Sequence, residues 1–260
     1  MLVDHPLGYW RLGEQAGATG AADAAGSSPG TYSDVTLEAP GAVPGDSAAS
    51  FAGSGVVTIS ASSALDLSGA LSIEAWVKPA GPSAQGGIFE KTIAGAVNTQ
   101  YLLFADGGAI HFRARSASGL STAHGPTLAV GSWSHIVGTF DGATLRLYVN
   151  GALVAATNSG APVSGAGPAF IGRLGAEGGS PGIYPFSGTI DEVAVYGSAL
   201  SPSRVLAHFT NAQTNVTTAR VTIEVRPTVT GTATASFHVS ATQDDPNPAD
   251  NTIGLSTLVN

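Results

Sequence analysis

The stretch Gly131–Thr157, GSWSHIVGTFDGATLRLYVNGALVAAT, admits few folds, because two turn dipeptides are set between runs of β-forming residues. Asp141-Gly142 and Asn150-Gly151 both tolerate positive φ at adjacent positions, which a tight turn matching the twist of its flanking strands requires. Trp133 to Phe140 precedes the first turn, and after it Leu145, Leu147 and Val149 alternate with Arg146 and Tyr148. One face is aliphatic and the other mixed, the pattern of antiparallel strands that are at least half buried. The segment reads as a meander of three short strands.

The same style of construction runs through the chain. Leu71, Ile73 and Ala75 share one face of an extended run and Glu74, Trp76 and Lys78 the other, until Pro79 ends it. Further strands are expected at Gly8–Leu12, Tyr32–Leu37, Gly55–Ile59, Ile88–Lys91, Tyr101–Phe104, Ile110–Arg115, Ala169–Gly172 and Gly188–Tyr196. Gly175–Pro185 reads as a Gly/Pro-rich loop. Ser201-Pro202 has the form of a helix N-cap and first helical position, with Val205, Leu206 and Phe209 as an apolar stripe on a helix near 201–210. With 35 glycines, 15 prolines and only 11% charged residues, the composition suits short strands and tight turns better than surface helices.

The motif W-x-H-I-V-G-T-F-D-G-x-x-L-R-L-Y-V-N-G (Trp133–Gly151) resembles the signature of the concanavalin A-like lectin/glucanase superfamily, in its laminin-G-like bacterial branch. GYWRLGE (8–14), LSIEAWVKP (71–79) and F-x-G-x-I-D-E-V-x-V-Y followed by A-L-S-P (186–202) are similar to the opening, middle and closing pieces of that family. Pattern and resemblance together predict an all-β protein, a jelly-roll β-sandwich of two antiparallel sheets over residues 1–212, with one short helix and a small C-terminal β appendage. Residues 213–218 read as a polar linker. Residues 219–260 resemble the closing strands of a bacterial surface immunoglobulin-like module, with strands expected at 219–225, 233–239 and 253–259 around an Asp/Asn/Pro loop at 244–251.

The formal net charge of −8 argues against a protein that works by neutralising phosphates, so nucleic acid is not an expected partner. No apolar run approaches the roughly 20 residues that span a bilayer, so no membrane insertion is expected. Met1 leads so directly into the first strand that an export signal is expected to lie outside this sequence. Cysteine is absent, which removes disulfides, thiolate metal sites and cysteine nucleophiles.

Glucanases of the superfamily set two carboxylates on one strand face, astride the scissile bond. Here Asp191 and Glu192 are adjacent, so strand alternation sends them to opposite faces, and Glu74 has no acidic partner two or four residues on. No enzymatic activity is expected. His135, at the W-x-H position, is expected to be packed and hydrogen-bonded. The resemblance does imply a calcium site at a loop rim, and pairing of first and last strands would bring Glu14 and Asp23 near Asp191 as its ligands; the alternative is that Asp191 and Glu192 only shape a sheet edge and Asp23 is solvated. For sugar stacking, Trp10, Trp76 and Trp133 are expected in packing roles, leaving Tyr184, in the Gly/Pro-rich loop, followed by Tyr32 and Tyr101, as ligand-binding candidates. The resemblance implies a non-catalytic adhesion or recognition module of a larger extracellular or cell-surface bacterial protein, binding glycan or surface protein beside further domains of its parent chain. An accessory module of a secreted glycoside hydrolase and a ligand-free spacer are the alternatives.

Overall fold

A computed structural model describes residues 1–82, 85–94, 97–175, 184–213, 231–238 and 252–259. The first half supplies β1 (Gly8–Trp10), β2 (Gly20–Ala21), β3 (Gly30–Pro40), β4 (Ser47–Ile59), β5 (Leu71–Pro79), β6 (Gly86–Ala94), β7 (Val97–Asp106), β8 (Ala109–Ser116) and β9 (Gly119–Thr127). The meander supplies β10 (Ser134–Phe140), β11 (Thr144–Val149) and β12 (Ala152–Asn158). After it come β13 (Ala169–Ile171), β14 (Arg173–Leu174), β15 (Tyr184–Pro185), β16 (Gly188–Tyr196) and the helix α1 (Pro202–Gln213), which starts where Ser201 and Pro202 direct.

The fold is the expected all-β jelly-roll sandwich, although its hydrogen bonding does not stop at the boundary between layers. One path runs β12-β11-β10-β5-β16-β4-β13-β6-β7-β8-β9. The strand that joins the layers is β4: Ala49–Phe51 pair with β16, and Val57–Ile59 pair with β13. Between them Gly53 takes φ +58°, a value that a residue with a Cβ adopts only under strain, and the chain bends from one layer to the other. At the far side, Thr157 Oγ1 of β12 donates to the Thr122 carbonyl of β9 at 3.1 Å, so the sandwich is nearly closed.

The two inner faces interlock closely. A Cβ on Gly138 of β10 would lie 2.4 Å from the Phe112 ring of β8 on the opposite layer. Gly138→Ala is therefore expected to lower stability by about 1–3 kcal/mol through overpacking, read as a lower urea midpoint with an unchanged slope.

The meander follows its turn chemistry in one case and extends it in the other. Asn150 and Gly151 both have positive φ, 51° and 79°, and close a two-residue turn between Val149 and Ala152. At Asp141-Gly142 the loop is longer, because the Asp141 carboxylate accepts the Ala143 and Thr144 amides and holds the chain open by two more residues before Leu145 pairs with Phe140.

The outer face of β5 and β10, which carries Glu74, Trp76 and His135, is buried as well. Helix α1 covers it: Phe209 stacks on Trp76 with 5.9 Å between ring centroids, and Glu74 and His135 beneath are fully buried. Trp10 is also buried, and Trp133 lies under the Lys78 ammonium at 4.8 Å.

Residues 217–260 form a second unit. Its described part is an antiparallel hairpin of β17 (Gly231–His238) and β18 (Thr252–Val259), in register from Gly231 with Val259 to His238 with Thr252. Residues 214–218 of the expected linker, the strand expected at 219–225, the acidic loop 244–251 and residues 176–183 lie outside the described residues. No helix among the described residues is long and apolar enough to cross a membrane.

Candidate functional site

Two places on the sandwich gather chemistry. The first is on the outer side of the β6–β9 layer. Tyr101, Leu103, Phe112 and Ala114 belong to the core, so strand alternation turns Phe104, His111 and Arg113 outward. Over them lies the β14–β15 hairpin, with Leu174 paired to Tyr184. Tyr184, 39% exposed, stands at a cavity of about 220 Å³ whose wall includes Gln85, Phe104, Asp106 and Arg113. The Arg113 guanidinium lies 4.6 Å from the Phe104 ring centroid, and Gln85 Nε2 donates to Asp106 Oδ1 at 3.3 Å. An exposed aromatic face beside planar hydrogen-bonding groups is the chemistry a sugar ring needs: a flat apolar surface for its C–H face and fixed polar partners for its hydroxyls. The cavity is smaller than the roughly 300–1,000 Å³ typical of drug-sized ligands, a size for a single small ring rather than a buried oligomer.

The other aromatic candidates are placed elsewhere. Tyr101 is fully buried in the core and its hydroxyl donates to the Leu65 carbonyl at 2.5 Å, so it offers no surface to a ligand; this overturns the expectation, and the reason is that Tyr101 falls on the inward parity of β7. Tyr32 is partly buried against the core, with its hydroxyl donated to Glu14 Oε2 at 2.5 Å, and it does not line the Tyr184 cavity.

The second place is an acidic group at the edge of β16. This edge pairs with β4 through Gly188–Ile190 and with β1 through Val193–Val195, and the change of partner falls at Asp191-Glu192. There the register against β5 shifts by a bulge and Glu192 takes φ +54°. A bulge re-aims side chains, and this one brings the two neighbours to the same place. Alternation predicts opposite faces; instead one oxygen each of Asp46, Asp191 and Glu192 lie within 4.8 Å of one another.

The expected trio of Glu14, Asp23 and Asp191 is not the group found close together. The Asp23 carboxylate accepts the backbone amides of Tyr9, Ala25, Gly26 and Ser28 at 2.9–3.1 Å, which shapes the loop. Glu14 is taken by the Ala22 amide and the Tyr32 hydroxyl. Only Asp191 is common to the expected and observed groups.

The electrostatics of the trio are those of a site short of positive charge. Burial, reinforced by the Glu192 charge, pushes Asp191 up to about 8. Burial also raises Glu192 to about 7, although the Arg11 charge and the Tyr9 hydroxyl pull the other way. Arg11 supplies a cation, with Nη2 2.6 Å from Asp46 Oδ2 and Nε 3.2 Å from Glu192 Oε1. Asp191 Oδ2 accepts the Ala42 amide at 2.8 Å, while its Oδ1 is buried without a partner. Three carboxylates with one unpartnered Asp191 oxygen among them fit a calcium-like ion. They do not fit glycoside hydrolysis, which sets two carboxyl groups about 5–10 Å apart across an accessible bond, because Asp191 and Glu192 are 0% and 3% exposed.

A family model described as the Concanavalin A-like lectin/glucanases superfamily matches residues 51–206. No curated protein matches the chain in sequence. Among solved structures, the binding domain of Paraclostridial Mosquitocidal Protein 1 is similar with a TM-score of 0.63 at 12% identity, covering 81% of this chain and 53% of that one. The binding domain of Botulinum neurotoxin serotype D has a TM-score of 0.60 at 13% identity, covering 80% and 51%. Domain 4 of AbnA, a GH43 extracellular arabinanase from Geobacillus stearothermophilus, solved in complex with arabinotriose, has a TM-score of 0.51 at 21% identity, covering 78% and 97%. The chain thus spans about half the length of the toxin domains it matches and nearly all of the arabinanase domain. At these identities the likeness is one of fold.

Proposed function

The chain belongs to the concanavalin A-like lectin/glucanases superfamily, and from that membership we propose that it is a non-catalytic carbohydrate-binding module acting outside the cell, with its sugar held against Tyr184. The observation that carries the reading is the exposed Tyr184 ring at a cavity that also presents Gln85, Asp106 and Arg113. Relatives in fold are binding domains of toxins and a domain of an extracellular arabinanase in complex with arabinotriose, which supports a binding role. The arabinanase likeness also supports the accessory-module version of the reading, in which the sugar delivers a neighbouring hydrolase to its polymer.

The same reading assigns a calcium-class cation to Asp46, Asp191 and Glu192. When bound, the ion would neutralise the trio and tie the 41–46 loop to β16. Its supports are the closeness of the three carboxylates and the orphaned Asp191 Oδ1.

Binding is tested on a panel of immobilised oligosaccharides that includes arabinose oligomers and sialylated chains. Tyr184→Ala is expected to weaken binding about tenfold, the ~1.4 kcal/mol that one stacked ring supplies. Tyr101→Phe, which removes only a buried hydroxyl, leaves binding unchanged. A wild-type chain silent on every sugar, or a Tyr184→Ala chain that binds as tightly as wild type, would sink the assignment.

A further inference from the structure

We propose that His111 and His124 form a two-imidazole chelate for a borderline transition-metal ion of the zinc class, separate from the acidic group and on the same outer face as the Tyr184 cavity. The two residues are directly opposed on the antiparallel pair β8–β9. Their neighbours Phe112 and Ala123, also opposed, point into the core, so both imidazoles project from the outer side.

The distance between the rings is what singles the pair out. Nδ1 of His124 lies 3.2 Å from Nδ1 of His111, with the ring planes at 75°. Two neutral imidazoles can share this edge only if one presents N–H and the other its lone pair; two protonated nitrogens would face each other as donors. The gap therefore has room for one electrophile. With metal–nitrogen bonds of about 2.0–2.1 Å, a nitrogen separation of 3.2 Å corresponds to an angle at the metal of about 100–105°, close to tetrahedral. The β-ladder has already set the donors at a chelating separation, so binding requires a turn of the exposed ring and no backbone movement.

His111 is 9% exposed and packs on Phe104 with 5.0 Å between centroids. His124 is exposed, which leaves the remaining coordination positions open to water or to an oxygen of a bound ligand. Nitrogen donors select zinc, copper or nickel, whereas the Asp46–Asp191–Glu192 oxygens select a hard ion, so the two sites take different metals.

Zinc chloride is titrated calorimetrically into the whole chain in a non-chelating buffer with calcium in excess. One saturable zinc site is expected, lost by tenfold or more in affinity in His124→Ala. Because His124 is exposed, this variant should melt with wild type in chelator, which separates a lost ligand from a lost fold. Long-range imidazole proton–nitrogen spectra identify the donors: zinc should move the Nδ1 signals of His111 and His124 and leave those of His135 and His208. No saturable heat, an unchanged isotherm in His124→Ala, or shifts at other histidines would overturn the proposal.

Discussion

Glu74→Ala is expected to lower stability by about 3–5 kcal/mol, a large share of the roughly 5–15 kcal/mol that holds a domain folded. Glu74 is fully buried on the outer face of β5, where no water can replace it. It accepts from His135 Nε2 at 2.8 Å, from Tyr196 Oη at 2.9 Å and from His208 Nδ1 at 2.9 Å, so one residue satisfies donors on β10, β16 and α1. The other nitrogen of His208 lies 2.6 Å from Asp4 Oδ2, and Asp4 is held in turn by Arg204. With a carboxylate oxygen on each side, His208 can satisfy both only as the imidazolium. Removing Glu74 leaves a buried cation and two buried donors without their acceptor, which costs more than the intact network contributes. Urea unfolding of Glu74→Ala checks this, and a loss below about 1 kcal/mol would show that the network is not what seats the helix.

The same network gives stability a pH signature with two limbs. Burial alone would lower the His208 pKa, but the hydrogen bond and charge of Glu74, with help from Asp4 and against the Met1 amino group, raise it above 6.5. Its contribution is full below about pH 6.5 and is lost as pH rises through the raised value. Burial would raise Glu74, but the His135 and His208 donors hold it well below 4.5. Its contribution is present above about pH 4.5 and is lost as pH falls through the depressed value. His208→Ala should therefore remove the alkaline limb of the wild-type stability profile while leaving the fold intact.

How much of this was legible depended on whether the determining contact is local. Asn150-Gly151 specified its turn because positive φ is a property of two adjacent residues. The parity of Leu71, Ile73 and Ala75 specified the inner face of β5. What covers its outer face was not legible, because the helix that buries Glu74 lies more than a hundred residues further along the chain and no pattern within β5 registers it. Tyr101 was misplaced because in Tyr101-Leu102-Leu103-Phe104 every residue is apolar, so periodicity gives no parity; the burial of Leu102 and Phe104 on the outer face shows why a sandwich strand can be apolar on both sides. The bulge at Asp191-Glu192 is invisible for a different reason: it arises where β16 changes partner from β4 to β1, a fact of topology and not of the dipeptide. Alternation applied strictly there sent Asp191 and Glu192 to opposite faces, whereas the bulge brings them together.

That bulge makes the second large effect a measurable one. At a calcium concentration about a hundred times the dissociation constant, binding to the native chain alone adds about 2.7 kcal/mol, and at about 2–4 °C per kcal/mol for a domain of this size the melting temperature should rise by about 5–11 °C. Chelator should reverse the rise. Asp191→Asn should abolish it, because the amide keeps the shape and the Ala42 hydrogen bond but removes the charge and one carboxylate oxygen. In chelator the variant should melt within a few degrees of wild type: burial and the Glu192 charge already hold Asp191 up to about 8, so without an ion its carboxyl is mostly protonated at neutral pH and asparagine mimics it. Asp23→Asn should behave oppositely, destabilising the chain with and without calcium, since its carboxylate serves four backbone amides. A wild-type melting temperature that does not move between calcium and chelator would remove the ion from the acidic group, and the trio would then stand as Arg11 and Tyr9 leave it, a buried carboxylate cluster neutralised by one guanidinium and shared protons.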